Sequence, residues 1–433
     1  MKNKSSLTKK ILIGLVLGAL FGLILNKVPS GYIKDTLLID GILQLVGGIF
    51  INAIKMLVVP LVFVSLVCGA SAIGDIKKLG RVGGKTLLFY LITTCIAITL
   101  ALVLGKLINP GIGLDLSNVL KVEPTIGESK SLVNVITDMV PNNPIAALAN
   151  GSMLQIIVFA LLTGVTMAMI RDKAQPVIDI FNSLNEIMMK MVMVIMTIAP
   201  YGVFALIAKT FATVGYDAML PLLKYMIAVL LALVLHATFT YMGALGTIGK
   251  LNPIQFFKNF APAMGVAFST ASSSGTLPVT IDTAENRCGV SKNIASFTLP
   301  LGATINMDGT AIMQGVAVIF ISQVYGIDLS LQALITVILT ATLASVGTAG
   351  VPGVGLITLS MVLQSVGLPV EGIALIIGID RLLDMSRTVI NITGDTVCTI
   401  LIAKSENEFD KDIYYAKNDN GSTNADDREA EVA

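Results

Sequence analysis

Residues 345–355 read SVGTAGVPGVG and lie at the centre of a stretch, 329–370, in which 42 successive residues carry no charge. Glycine and proline interrupt helices, and serine hydroxyls compete with the helix for backbone hydrogen bonds. A broken backbone inside a lipid bilayer is tolerated only where protein or water covers it. The stretch therefore favours two half-helices that meet at a polar tip, although its length also fits two ordinary spans joined by a glycine-rich loop.

A second interrupted segment, residues 256–290, precedes this one and carries STASSSGTLP at 269–278. It is followed by NMDGT at 306–310. The same order recurs in the later segment, whose GTAGVP precedes a polar helix that runs through residues 384–395. Paired interrupted segments in corresponding positions indicate the binding site of a transporter that is built from inverted repeats.

The composition is that of a membrane protein. Of 433 residues, 54% are hydrophobic and 13% are charged, about half the usual share of charge, and the mean hydropathy is +0.83. The net charge of +1 gives no basic excess for nucleic acid. Four widely separated cysteines exclude a disulfide framework and a zinc knuckle, and one histidine, His236, is too few for metal-hydrolase or Ser–His chemistry.

Charge-free runs mark the candidate spans, since a transmembrane helix needs about 20 mostly apolar residues. The first run lacks a small-x-small cleavage site and is followed by further spans, so it is interpreted as a transmembrane helix and not as a signal peptide. Lysines and arginines fall on one side if the chain crosses alternately, which predicts that both termini are cytosolic. The runs are 11–26, 41–54 with 56–74, 86–105, 139–170, 191–208, 225–249 and 311–327, and a last span, which does carry charges, lies near 373–403.

The chain changes character after residue 404. Residues 405–433 hold nine acidic and three basic residues, a net charge of −6, which leaves +7 on residues 1–404. A polar, acidic segment of this kind is typical of disorder. We therefore predict a membrane domain over 1–404 and an acidic, disordered cytosolic tail over 405–433.

The last span carries the ionisable residues Asp380, Arg381, Asp384, Arg387 and Asp395 in an apolar helix. Each costs about 2.5–3.5 kcal/mol at a membrane centre, so such residues are functional candidates. At about 100° per residue, four of them share one narrow face with Thr388 and Asn391. The spacing of Asp384 and Arg387 favours a salt bridge. An arginine fork fits a carboxylate and an aspartate holds an ammonium, so the face matches an acidic zwitterion.

Hard oxygen donors accompany this face. Asn391 and Asp395 are one turn apart and suit a small cation such as Na⁺. Asn306 and Asp308 would diverge on a regular helix, but unwinding at 306–309 would bring their side chains together and free backbone carbonyls. The sequence thus predicts a cation site where an interrupted helix meets the last span.

Taken together, SSSGTLP at 272–278, NMDGT at 306–310, GTAGVPG at 347–353 and DxxRTxxNxxGD at 384–395 resemble the dicarboxylate/amino-acid:cation symporters. The order and spacing of all four motifs match, and the resemblance covers nearly all of residues 1–404. It implies an all-α polytopic protein of the plasma (cell inner) membrane with eight transmembrane helices and two re-entrant hairpins. It also implies a homotrimer in which a transport part, about 84–129 and 216–404, moves like an elevator against a scaffold, about 1–83 and 130–215.

The resemblance also implies site residues. Arg387 matches the ligand of the substrate side-chain carboxylate, and Asp384 matches the ligand of its ammonium. Around them, the candidate substrate contacts are Ala271, Ser272, Ser273, Thr310, Val351, Gly355, Thr388 and Asn391. For Na⁺, one implied site comprises Gly302, Asn306, Asn391 and Asp395. A second uses carbonyls of Thr304, Ser345, Val346 and Thr348, and a third comprises Tyr90, Thr93, Thr94, Asn306 and Asp308.

Substrate choice follows from which charges are present. C4-dicarboxylate relatives tend to lack an aspartate at the Asp384 position, and neutral amino-acid relatives tend to lack an arginine at the Arg387 position. An acidic amino acid, aspartate or glutamate, therefore fits best, with no cofactor beyond the coupling ion Na⁺. A cystine carrier, a C4-dicarboxylate carrier and a proton-coupled glutamate carrier are the alternatives. An intramembrane aspartyl protease is opposed by Arg387 beside Asp384, and an anion leak would accompany transport without replacing it.

Two positions depart from parts of the family. Some relatives place an arginine where Ala271 stands, and Arg381 is a candidate for the missing charge. Proton-coupled animal relatives carry a glutamate at the position of Gln314, which cannot titrate. Separately, His236 is predicted to be a sixth-helix residue of no mechanistic importance.

Overall fold

A computed structural model describes residues 7–71, 81–114, 137, 140–346, 350 and 352–416. Over these ranges the chain is helical and contains no β-strand, apart from a bridge between Val290 and Phe409. The first half comprises α1 (Leu7–Lys27), a π-helical stretch (Tyr32–Leu43), α2 (Gln44–Ser71), α3 (Val82–Ile108), α4 (Pro144–Asn150), α5 (Met153–Met169), α6 (Arg171–Val214), a 3₁₀ turn (Gly215–Ala218) and α7 (Met219–Leu235).

The second half begins with a π-helical stretch, His236–Met242, and ends in a long polar helix. It comprises α8 (Gly243–Thr247), α9 (Pro253–Thr270), α10 (Ser273–Asn286), α11 (Lys292–Ile305), α12 (Asp308–Val324), α13 (Leu331–Ser345), α14 (Val354–Ser365), a 3₁₀ turn (Val370–Gly372), α15 (Ile373–Ser405) and α16 (Lys411–Tyr415).

Several helices fit a membrane. Within the described residues, five segments are long and apolar enough to span a bilayer, which agrees with a multi-pass membrane protein. The eight spans and the homotrimer stay predictions. The five segments are Tyr32–Ser71, Val82–Ile108, Asp172–Thr213, Met219–Thr247 and Lys292–Val324.

Both interrupted segments contain two short helices that pack against each other: α9 with α10, and α13 with α14. In the first pair, Ala271 adopts a left-handed backbone (φ 51°) that ends α9. Ser272 then starts α10, because its Oγ accepts a hydrogen bond from the Gly275 N–H at 3.0 Å, the usual role of a serine N-cap. The break thus falls on the predicted tip residues.

The helix is also broken at Asn306 and Met307, between α11 and α12, a break that is shorter than the predicted unwinding over 306–309 because Asp308 and Gly309 already belong to α12. Both residues leave the helical region of φ and ψ. The side-chain amide oxygen of Asn391 accepts a hydrogen bond from the Gly309 N–H at 2.8 Å. The last long helix, α15, therefore stabilises the start of α12 after the break.

The helices pack in a way that puts α15 at the centre. Helices α1 and α2 lie along α6, and α5 packs against α2. Helices α3, α7, α11 and α12 pack around one another and α15. Contacts of α14 with α2, and of α15 with α1 and α6, join these two sets.

A short C-terminal strap, residues 406–416, follows α15. The prediction of a disordered tail is wrong for this part, because Tyr414 is fully buried and anchors it. The Asp410 N–H donates to the Gly289 carbonyl at 2.7 Å, and the Tyr414 hydroxyl donates to the Asn252 carbonyl at 2.9 Å. The strap therefore joins both ends of the first helix pair. Residues 417–433 of the predicted tail lie outside the described residues.

Glu406 fastens the strap to a third element. Its carboxylate accepts hydrogen bonds from Lys85, at 2.8 Å, and from Arg81, at the start of α3. Hydrogen bonds from these two cations hold the pKa of Glu406 below its usual range. The carboxylate therefore stays ionised where α3 and α15 meet.

We expect Tyr414→Ala to lower the free energy of unfolding by about 3–5 kcal/mol, the usual cost of truncating a large buried aromatic side chain. Thermal unfolding of the purified protein in detergent measures the effect. Ile413→Ala, which truncates an exposed neighbour of the same helix, is the control. Equal melting temperatures for the two variants would contradict an anchoring role for Tyr414.

Candidate functional site

The charged residues of α15 form a buried ion-pair cluster. Arg387 is 1% exposed, and its Nη1 lies 2.5 Å from Asp380 Oδ1. Its Nη2 lies 2.8 Å from Asp384 Oδ1, so the predicted Asp384–Arg387 salt bridge is present. Arg381 approaches Asp384 from the other side, with Nη1 3.5 Å from Oδ2. Two carboxylates thus face two guanidinium groups.

One hydrogen-bond donor of Arg387, the Nε–H, is buried and makes no hydrogen bond to the described residues. A buried, unsatisfied donor is costly, and the Nε–Nη2 edge of a guanidinium matches a carboxylate. The site is therefore equipped to receive an anionic group at this edge.

The tips of the two helix pairs meet beside this cluster. Ser272 Oγ donates to the Gly350 carbonyl at 2.8 Å, and the Ser274 N–H reaches the same oxygen at 3.2 Å. From the second pair, the Gly353 N–H lies 3.3 Å from Asp384 Oδ2. The N-terminus of α14 therefore contacts the charged cluster, and the N-terminus of α10 contacts the second tip at Gly350.

The structure places the candidate substrate contacts as follows. A Cβ added at Gly355 would lie 3.3 Å from Thr310 Cγ2 and 3.4 Å from Arg387 Nη2, so these three residues are neighbours. The Thr388 hydroxyl donates to the Asp384 carbonyl, one turn earlier in its own helix. Ala271 and Ser273 are buried at the first tip, and Val351 and Thr348 lie outside the described residues.

Below the charged cluster, Asn306 and Asp395 form a second polar group. Asn306 Nδ2 donates to Asp395 Oδ1 at 2.9 Å and to the Asn391 carbonyl at 3.1 Å. Asn306 Oδ1 is buried without a hydrogen-bond partner in the described part of the chain. Gly302 is required here, since a Cβ would lie 2.5 Å from the Tyr90 hydroxyl and 2.6 Å from Asp395 Oδ1.

Asp308 is fully buried and is held from three directions. Its Oδ1 lies 2.5 Å from Thr94 Oγ1, and its Oδ2 lies 2.7 Å from the Tyr241 hydroxyl. His236 Nε2 is 3.0 Å from the same Oδ2. Thr94, a predicted cation ligand on α3, thus contacts the broken helix. The neighbouring Thr93 is also buried, and its hydroxyl donates to the Tyr90 carbonyl.

His236, which the sequence predicts to be a sixth-helix residue of no mechanistic importance, lies beside the candidate cation ligand Asp308. It is fully buried against Asp308 and makes an edge-on ring contact with Tyr241, with ring centroids 4.7 Å apart. His236 and Tyr241 are five positions apart in a π-helical stretch. The 3.6-residue period of an α-helix therefore does not place these two side chains on one face. The only feature of the sequence that singled out His236 was that it is the one histidine of the chain.

At the second implied cation site, the side-chain hydroxyls of Thr304 and Ser345 bond to carbonyls of their own helices. The Thr304 hydroxyl donates to the Leu301 carbonyl at 2.9 Å, and the Ser345 hydroxyl donates to the Thr342 carbonyl at 2.8 Å. Both hydroxyls are therefore used within their own helices, as is the Val346 N–H. The resemblance implies that these residues bind a cation through their backbone carbonyl oxygens.

The oxygen donors around Asn306 and Asp308 fit Na⁺ better than a transition metal. Within the described ranges, no group of three or more His, Cys, Asp or Glu residues is placed to hold a metal ion. The donors are a mixture of carboxylate, amide and hydroxyl oxygens, which hard cations prefer. The buried Asn306 Oδ1, without a hydrogen-bond partner among the described residues, supports the same chemistry, and Gly302 lets the Tyr90 hydroxyl and the Asp395 carboxylate approach the backbone closely.

Comparison with known proteins gives the family. The sodium:dicarboxylate symporter family matches residues 7–405. The chain is 38% identical to a proton/sodium-glutamate symport protein of Bacillus caldotenax, over 95% of this chain and 97% of the relative. It is 38% identical to a proton/glutamate-aspartate symporter of Escherichia coli, over 95% of each chain. A C4-dicarboxylate transport protein of Bacillus subtilis is 34% identical, over 95% of this chain and 96% of the relative. The chain is therefore a membrane symporter and not an enzyme, and it belongs to the sodium:dicarboxylate symporter family.

Proposed function

We propose that this symporter imports acidic amino acids, aspartate or glutamate, together with Na⁺. The observation that supports this most directly is the buried Arg387, whose Nε lacks a partner beside an Asp384 that is already paired. An arginine fork selects a carboxylate, and an aspartate within reach selects an ammonium. A molecule that carries both groups and is small enough for a closed site is an acidic amino acid.

Binding would proceed as an exchange of ion pairs. The substrate side-chain carboxylate takes the Nε–Nη2 edge of Arg387 and displaces Asp384 Oδ1 from Nη2. Asp384 is then free to accept the substrate ammonium, while Asp380 stays on Nη1. Each buried charge keeps a partner throughout, which avoids the cost of about 3–5 kcal/mol for an unpaired buried charge.

The substrate α-carboxylate is then held by backbone. The N-terminus of α14 contacts the ion-pair cluster at Gly353, and the N-terminus of α10, at Ser272, contacts the adjoining tip. Helix N-termini carry unsatisfied N–H groups and a partial positive charge, which attract anions. The hydrogen bonds that Ser272 and Ser274 donate to the Gly350 carbonyl would have to open to admit the substrate and re-form over it.

Na⁺ would bind at the oxygens of Asp395, Asn306 and Asp308. A cation there orders the break between α11 and α12, which in turn holds Asn391 and the substrate face of α15. Because the sites share this backbone, sodium is expected to tighten aspartate, and aspartate to tighten sodium by the same factor. Because a glutamine side chain does not titrate, Gln314 cannot carry a proton, and this favours Na⁺ over proton coupling. Its Nε2 donates instead to Thr358 Oγ1 at 2.8 Å.

The wider mechanism that we propose is an elevator. The transport part, about 84–129 and 216–404, would move with both re-entrant hairpins against a scaffold, about 1–83 and 130–215. Three such chains would form a homotrimer in the plasma (cell inner) membrane, with both termini in the cytosol. The packing of α15 on α1 and α6 is the contact that would slide.

The first test is uptake of labelled L-aspartate into proteoliposomes of the purified protein, with a Na⁺ gradient, a proton gradient or neither. We expect uptake that requires Na⁺ and is blocked by excess unlabelled glutamate but not by succinate, cystine or serine. Uptake driven by protons alone would contradict Na⁺ coupling, and transport of cystine or succinate in place of aspartate would contradict the proposed substrate.

A further inference from the structure

Arg381 lies at the contact between α15 and the helices proposed as scaffold. Its side chain is 13% exposed and pairs with Asp384, the residue proposed to bind the substrate ammonium. A cavity of about 20 Å³ separates Asp380, Arg381 and Asp384 from side chains of α1, α2 and α6. That space holds about one water molecule. The apolar wall on its far side consists of Ile11, Phe50, Met196, Ala199 and Val203.

The charge balance of this cluster depends on Arg381. With it, two carboxylates face two guanidinium groups, and both oxygens of Asp384 have a cationic neighbour. Without it, one negative charge would be left over beside a small cavity that is lined mainly by apolar side chains. An uncompensated charge is costly inside a membrane protein, so the balance matters most when this face slides along the wall.

We propose that Arg381 is a positioning residue for the return of the empty carrier. It completes the neutral cluster with which the substrate-free site faces α1, α2 and α6. In the loaded carrier, the substrate ammonium pairs with Asp384 and the co-bound Na⁺ offsets the net negative charge of the substrate, so Arg381 is needed less. This proposal rests on the proposed function, because it requires a substrate that carries an ammonium and a site that moves.

The role predicts a separation of two transport modes. Net uptake needs the empty carrier to return in every cycle, whereas exchange of internal for external aspartate needs only the loaded carrier to move. In Arg381→Met, which keeps an unbranched apolar stem, we expect exchange within about threefold of wild type and net uptake reduced at least about tenfold. Arg381→Lys, which keeps the charge, is expected to recover most of the net uptake.

Membrane potential provides a second readout. The empty Arg381→Met site carries one more negative charge than the wild-type site, and it returns from inside to outside. An inside-negative potential pushes that charge outwards, so it is expected to raise net uptake by a larger factor in Arg381→Met than in wild type. A residue with a merely structural role would not change this voltage dependence.

The experiment uses full-length protein in proteoliposomes. Net uptake is measured with vesicles that contain buffer alone, and exchange with vesicles that contain unlabelled aspartate, with Na⁺ on both sides of the membrane. Net uptake and exchange that fall together, or net uptake that does not fall, would overturn the proposal. Arg381→Gln provides a second neutral variant in case Arg381→Met fails to fold, as judged by gel filtration. Failure of the proposed function looks different, since wild-type protein would then carry no aspartate in either mode.

Discussion

Arg387→Ala is expected to abolish uptake of aspartate and glutamate, with apparent affinity reduced at least about 100-fold. The guanidinium is buried, and it is the proposed ligand of the substrate carboxylate. Its removal leaves that carboxylate without a partner, at a cost of about 3–5 kcal/mol, and each 1.4 kcal/mol is a factor of ten. Isothermal titration with L-aspartate in the presence of Na⁺ measures the loss.

Two companion measurements separate a lost ligand from a lost fold. Serine lacks the distal carboxylate, so binding of serine to Arg387→Ala should be no weaker than to wild type. Arg387→Lys keeps the charge but not the fork, and we expect it to recover little of the aspartate affinity, because a carboxylate held by two parallel hydrogen bonds needs a planar guanidinium. Aspartate affinity that survives Arg387→Ala would refute the proposed binding mode.

Asp395→Asn is expected to lower the apparent Na⁺ affinity at least about 100-fold. The change preserves the shape of the side chain and removes a buried charge that Asn306 approaches at 2.9 Å. By linkage, aspartate affinity at a fixed, subsaturating Na⁺ concentration should fall as well. The measurement is aspartate binding as a function of Na⁺ concentration, in which the variant's curve should move to higher Na⁺.

Asp282→Asn is the matched control, since Asp282 is an exposed carboxylate on α10 whose side chain pairs with Asn286. It makes the same chemical change away from the proposed cation ligands and should leave the Na⁺ dependence unchanged. If Asp395→Asn binds aspartate with the Na⁺ dependence of wild type, Asp395 is not a ligand of the coupling ion.

Much of the local structure could be predicted from the sequence because it depends on short-range chemistry. Ser272 interrupts its segment as an N-cap, and the break at Asn306 was predicted from two polar residues that a regular helix would separate. Helical spacing also put Asp384 and Arg387 within reach of each other. Such features depend on neighbours along the chain, which the sequence displays directly.

What could not be predicted depends on contacts between distant elements. Asp380 shares the face of Arg387 by spacing, yet only the structure shows that it takes Nη1 of the guanidinium. His236 reaches Asp308 across 72 positions of sequence and through a π-helical stretch. The strap was predicted to be disordered from its charge, but the burial of Tyr414 outweighs that composition. Charge averages over a segment do not reveal one anchoring aromatic side chain.

The C-terminal strap has a consequence for biosynthesis. Proteins are made from the N-terminus at about 5–20 residues per second, and the strap is the last described segment to leave the ribosome. The first helix pair is therefore synthesised more than a hundred positions before Tyr414 closes its base. Until the strap is synthesised, Asn252 and Gly289 lack the hydrogen-bond partners that join them in the finished protein. A nascent chain that stops at Ser405 would contain both helix pairs and the whole of α15, but the two ends of the first pair would not yet be joined.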